Sequence, residues 1–97
     1  MVKHIILWKL KDEFNTDKVK SDMKINLEAL VGKVPGLISL KVNINAMASS
    51  NVDVMLDSSF DDEEAYKTYV NHPSHIYVAD TFVRPFTAVR SCIDFEE

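Results

Sequence analysis

The stretch VKHIILWKL, residues 2–10, constrains the fold more than any other part of this chain. Its alternation puts His4, Ile6, Trp8 and Leu10 on one face and Lys3, Ile5, Leu7 and Lys9 on the other. A period of two marks a β-strand. Large apolar groups on both faces suit a strand inside a sheet rather than at its edge. A sheet built around this strand therefore has two faces to cover.

The segments that follow supply one cover. Asn15 is placed to cap a helix, with Phe14 just ahead of it to staple onto Val19. Val19, Met23, Leu27, Leu30, Val31 and Val34 then recur at helical spacing, and Gly32 with Pro35–Gly36 ends the run. LISLKVNIN alternates with Ile38, Leu40, Val42 and Ile44 on its apolar side, and VDVMLDSSF does so with Val52, Val54, Leu56 and Phe60. The pair reads as a hairpin with one buried face. Asp61, with Glu64 three residues on, opens a second helix whose inner face is Ala65, Tyr66, Tyr69 and Val70. Pro73 suits the first turn of a short third helix, on which His75, Val78, Ala79 and Phe82 share a face. Pro85 closes it, and FTAVRSCIDF reads as the last strand.

The order β-α-β-β-α-β with a short extra helix consists of two split βαβ units. It predicts an α+β, ferredoxin-like domain over residues 1–97, a four-stranded antiparallel sheet with its helices on one face. Ile5 and Leu7 then point away from the helices, and Val89, Ile93 and Phe95 are candidates to join them. Such a bare apolar patch predicts a homodimer in which two sheets pack face to face.

Composition excludes several kinds of partner. The net charge is −4 and the 11 Lys and Arg residues are scattered, which argues against nucleic acid and against an anionic membrane surface. The apolar run near the start is too short and too interrupted by lysine to span a membrane. One cysteine, Cys92, allows no intrachain disulfide and fits a reducing cytoplasm; as a strand residue it reads as a structural thiol. The two glycines fall together at Gly32 and Gly36, so no phosphate-cradling loop exists and no cofactor is expected. Three histidines and one cysteine without zinc spacing, and a proline between His72 and His75, give no reason to expect a metal. His72 has a plainer use, satisfying loose backbone groups between two helices. Lys18, Lys20 and Lys24 read as a solvated helix face.

Four polar side chains from four elements aim at the layer between sheet and helices: His4 beside Ile6 and Trp8, Asn26 interrupting the stripe of the first helix, Tyr69, and His75. Each is costly to bury without a partner. Two arrangements meet that cost: a closed polar network within the core, or a pocket walled by Ile6, Trp8, Val78 and Phe82.

The segments VKHIILWKLKDE, VPGL, FDDEEAYKTYVNHPSH and CIDFE, in order and over essentially the whole chain, resemble the stress-responsive A/B barrel (Dabb) family. The resemblance implies a dimeric α+β barrel of two ferredoxin-like halves. It does not imply one activity, since members include plant stress proteins that form large oligomers and plant polyketide cyclases. In the cyclases the residue matching His75 is the proposed general base, the one matching Tyr69 assists by hydrogen bonding, and the one matching His4 lines the pocket. Such roles suit an imidazole that titrates near neutrality and a phenol that can steady an enolate. Where those cyclases carry a tyrosine on the first helix, this chain has Asn26, which donates a hydrogen bond but offers no phenol.

Two functions stand against each other on this reading. One is binding or cofactor-free acid/base transformation of a small apolar carbonyl compound, of cyclase or lyase type. The other is a non-catalytic structural or stress-associated oligomer whose polar residues satisfy one another. A cofactor-free monooxygenase of related architecture is a weaker third.

Overall fold

A computed structural model describes all 97 residues. The strands are β1 (Val2–Leu10), β2 (Leu37–Asn43), β3 (Val54–Phe60) and β4 (Thr87–Glu96), and the helices are α1 (Asp17–Glu28), α2 (Glu63–Asn71) and α3 (Pro73–Val78). The sheet is antiparallel in the order β2-β3-β1-β4, so β1 is interior, as its two apolar faces require. The helices cover one face, giving the expected ferredoxin-like α+β arrangement. No helix is long and apolar enough to cross a membrane.

Register sets which side chains meet. His4 lies opposite Ser58 and Asp94, Ile6 opposite Leu56 and Cys92, and Trp8 opposite Val54 and Arg90. These residues face the helices. On the other face Ile5 is paired with Ile93, Lys3 with Phe95 and Lys9 with Val89.

Several local details depart from the sequence reading. Thr16, not Asn15, caps α1, its hydroxyl accepting from the Val19 N–H at 3.3 Å. Asn15 donates to Asp53 instead, and Phe14 packs edge-on against Phe86 with ring centroids 5.0 Å apart. Asp62, not Asp61, caps α2, accepting from Ala65 N–H at 2.8 Å. The Asp61 N–H is occupied by the Gly36 carbonyl. α1 stops at Glu28, and residues 29–33 continue as turns that include Gly32 at φ 90°.

The alternation expected in β2 breaks at Ile38. Leu37 pairs with Phe60 and Ser39 with Ser59, so Ile38 is an unpaired bulge residue turned to solvent at 46% exposure. Leu37, Leu40 and Val42 take the inner face, and Ile44 lies beyond the strand, packed on the core. Lys24 is no free surface lysine. Its ammonium reaches the Val42 carbonyl at 2.7 Å while Glu28 accepts the Val42 N–H at 2.9 Å. α1 thereby satisfies backbone groups of edge strand β2 that would otherwise lie open. Burial acts to raise the Glu28 pKa, but Lys24 and the Val42 N–H outweigh it and hold the carboxyl below its usual range.

His72 joins α2 to α3. Its N–H bonds the Tyr69 carbonyl at 3.1 Å, and its Nδ1 accepts from the Ser74 N–H at 3.1 Å. With Pro73 at the first helical position, it serves as the cap of α3. After α3 the chain continues through a wide i→i+5 turn at Ala79–Val83 and a tight one at Arg84–Phe86. These turns carry it over one end of the sheet and into β4.

Candidate functional site

A cleft of about 540 Å³ lies between the inner face of the sheet and the α2–α3 segment. Its size falls in the range of small-molecule sites. β1 contributes His4, Ile6 and Trp8, α2 contributes Tyr66 and Tyr69, α3 contributes His75, and β4 contributes Arg90. Of the residues singled out from sequence, His4, Ile6, Trp8, Tyr69 and His75 therefore meet around one space.

Three others are placed elsewhere. Asn26 turns back along α1 and donates to the Asp22 carbonyl at 2.8 Å, an i→i−4 bond that satisfies its amide locally; α1 reaches the cleft through Leu27. Val78 is buried in the hydrophobic core, and Phe82 packs against that core and edge-on to Tyr77. Neither borders the cleft; the widened turn after Val78 changes the helical phase that had aligned Phe82 with His75.

His4 is 3% exposed and its Nδ1 makes a short hydrogen bond to Asp94 Oδ1. A carboxylate only accepts, so Nδ1 carries the proton of this bond. Ser58 Oγ bonds the His4 carbonyl at 2.8 Å, fixing the backbone behind the ring. Burial works to raise Asp94, but His4, Tyr66 and Cys92 outweigh it and keep this carboxyl below the usual range, ionised near neutrality. The Cys92 thiol lies 3.6 Å from His4 Nδ1 and 3.4 Å from Asp94. Burial and the Asp94 charge push it up, so it remains a thiol. His4, Cys92 and Asp94 have ligand atoms within 4.8 Å of one another, a donor set that can hold a divalent metal; the His72–His75 pair is not part of it.

An aromatic row runs from this pair into the cleft. The His4 ring is 4.9 Å from Tyr66 and 6.3 Å from Tyr69, and Tyr69 is 4.2 Å from His75. Phe60 braces both tyrosines from below. Burial and the nearby Asp94 push Tyr66 up to about 12, and burial pushes Tyr69 up further, so both stay neutral hydrogen-bond donors. Tyr69 is 1% exposed and its hydroxyl bonds no protein group, yet no buried side-chain polar atom lacks a partner. Its hydroxyl therefore opens onto the cleft. The half-buried His75 donates from Nδ1 to the Val70 carbonyl at 3.3 Å, which leaves Nε2 as the basic atom. Burial lowers its pKa, with the Arg84 charge adding to the effect.

Sequence reading missed Tyr66 as a site residue, took Cys92 for a structural thiol, and missed Asp94, Arg84 and Arg90 altogether. The signal was present in β4: if Val89, Ile93 and Phe95 face outward, then Arg90, Cys92 and Asp94 must face the layer that holds His4.

Fold and site define a small ferredoxin-like α+β protein with a cleft between sheet and helices. The stress-responsive A/B barrel domain model matches residues 2–97, and the chain belongs to that family. A search among curated proteins finds no match. Among solved structures, a dimeric ferredoxin-like protein of unknown function from Bacteroides fragilis is 30% identical with a TM-score of 0.89, covering 99% of this chain and 95% of its own. A protein from Arabidopsis thaliana is 20% identical (TM-score 0.86), covering 100% of this chain and 95% of its own. A hydroxynitrile lyase from Passiflora edulis is 14% identical (TM-score 0.81), covering 97% and 90%.

Proposed function

We propose that the protein binds a small apolar carbonyl compound in this cleft and catalyses acid/base chemistry beside its carbonyl, without a cofactor. The observation that carries this reading is the pairing of two unspent groups on an open space: the Tyr69 hydroxyl and His75 Nε2. A closed polar network would have joined them to each other or to His4. Instead the Tyr69 and His75 rings lie tilted against each other at 4.2 Å between centroids, with no hydrogen bond between them, and His4 is committed to Asp94.

In this mechanism His75 Nε2 removes a proton from the carbon next to the carbonyl. Its lowered pKa keeps it unprotonated, and so competent as a base, at neutral pH. Tyr69, held as a phenol, donates to the carbonyl oxygen as it gains enolate character. His4 is the positioning residue, its ring fixed by Asp94 and packed against both tyrosines. The enolate so formed can make or break a carbon–carbon bond, which is chemistry of cyclase or lyase type. Its fold is compatible with such work, since the Passiflora edulis structure that shares it is a hydroxynitrile lyase.

The same reading includes a homodimer through the outer sheet face, supported by the exposed Val89, Ile93 and Phe95 and by the dimeric Bacteroides fragilis relative.

The test is exchange of α-protons. Aryl methyl ketones of increasing size are incubated with the protein in deuterated water and followed by proton NMR. Exchange well above the buffer rate is expected, falling by roughly 10²–10⁴ in His75→Ala and less in Tyr69→Phe, both with unchanged circular dichroism. No acceleration across the series removes the catalytic reading.

A further inference from the structure

We propose that the ligand carries a carboxylate as well as a carbonyl, and that Arg90 anchors it; this rests on the cleft being a ligand site. The charged groups around the cleft are otherwise paired. Asp94 is bound to His4, and Arg84 is ion-paired with Asp80 one helical turn away. Arg90 lines the cleft from β4 directly across from Trp8 and has no carboxylate partner. In a chain of net charge −4, the one uncompensated charge on this space is thus positive.

Nothing else lining the cleft can answer that charge. Tyr66 and Tyr69 stay neutral phenols. Arg90 is also close enough to act on the chemistry: its charge works against the rise at Tyr66 and Tyr69 and adds to the lowering at His75. A guanidinium presents a planar fork that matches a carboxylate through two hydrogen bonds. With the acid held there, the apolar body lies along Ile6, Trp8, Leu27 and Val83 and the carbonyl falls toward Tyr69 and His75. The ligand class is an apolar oxo acid, with Arg90 as its specificity residue.

The experiment uses aryl oxo acids whose carboxylate lies two, three or four carbons from the ketone, each paired with its primary amide, titrated by calorimetry into the whole protein. For at least one spacing, the acid is expected to bind roughly tenfold or more tightly than its amide. Arg90→Met abolishes that preference, the acid losing more affinity than its amide, and Arg90→Lys retains part of it. Equal binding of acid and amide, or a preference that survives Arg90→Met, overturns the anion anchor and leaves the cleft reading standing. Saturable binding of neither acid nor amide at any spacing overturns the cleft reading, and the anchor with it.

Discussion

His75 and Asp94 are tuned in directions that make acidification costly. The folded-state pKa of His75 is lowered by burial, so the unfolded chain binds its proton more readily. Stability contributed at this site is intact above the ordinary histidine value and falls as pH drops from there toward the folded value. The lowered Asp94 and Glu28 contribute stability that is present above the usual carboxylate range and lost as pH falls through their folded values. Thermal midpoints measured against pH are therefore expected to decline in two stages, and His75→Gln removes the first while leaving the second. Asp94 has a separate readout. Because burial and then the Asp94 charge hold the Cys92 thiol up, Asp94→Asn lowers its pKa, and the pH profile of iodoacetamide alkylation shifts to lower pH. His4, Tyr69 and His75 could be picked out from sequence because each sits polar on an apolar face. Asn26 shared that signal and misled, since an amide can satisfy itself on its own helix, as it does with the Asp22 carbonyl. Asp94 and Arg90 gave no such signal alone; their inward aim depends on the register of β4 against β1.

At the scale of elements, the approach of α2 to the start of β2 rests on one residue. Gly36 has φ 82°, and a Cβ there would come within 2.4 Å of the Ala65 Cβ. Gly36→Ala combines a left-handed backbone with an overpacked contact, so it is expected to destabilise by about 2–4 kcal/mol in chemical denaturation. Gly32→Ala meets open space and carries only the backbone cost, roughly 1 kcal/mol. The helix and strand order was legible because each element has a clean period, and β1 could be assigned to the sheet interior from its two apolar faces. Boundaries were less legible. Neighbouring Asn15 and Thr16, or Asp61 and Asp62, are equally good caps by composition, and only the direction of the incoming chain chooses between them. The Ile38 bulge was hidden for a related reason: Leu37 and Ile38 are both apolar, so the pattern is consistent with either phase.

For the whole molecule, β4 is the strand that a lone protomer explains least well. It is ten residues long, its far edge is unpaired, and none of its residues is fully buried. Yet its outer face presents Val89, Ile93 and Phe95, with Ile93 61% exposed and set beside Ile5 of β1. A long exposed apolar strand is an aggregation hazard unless another surface covers it. Packing of two such sheets about a two-fold axis, as proposed above, would bury the patch on both copies at once and would leave the helix-facing cleft of each protomer in place. Ile93 lies within this patch, so a carboxylate there would be trapped without a partner on assembly. Ile93→Asp is expected to shift the protein from dimer to monomer in light scattering at micromolar concentration, with helix and strand signals in circular dichroism retained. Asp94→Asn, one residue along but pointing to the opposite face, leaves the dimer intact. A dimer that survives Ile93→Asp excludes the outer face as its interface, because no arrangement that buries this patch tolerates the charge on both copies.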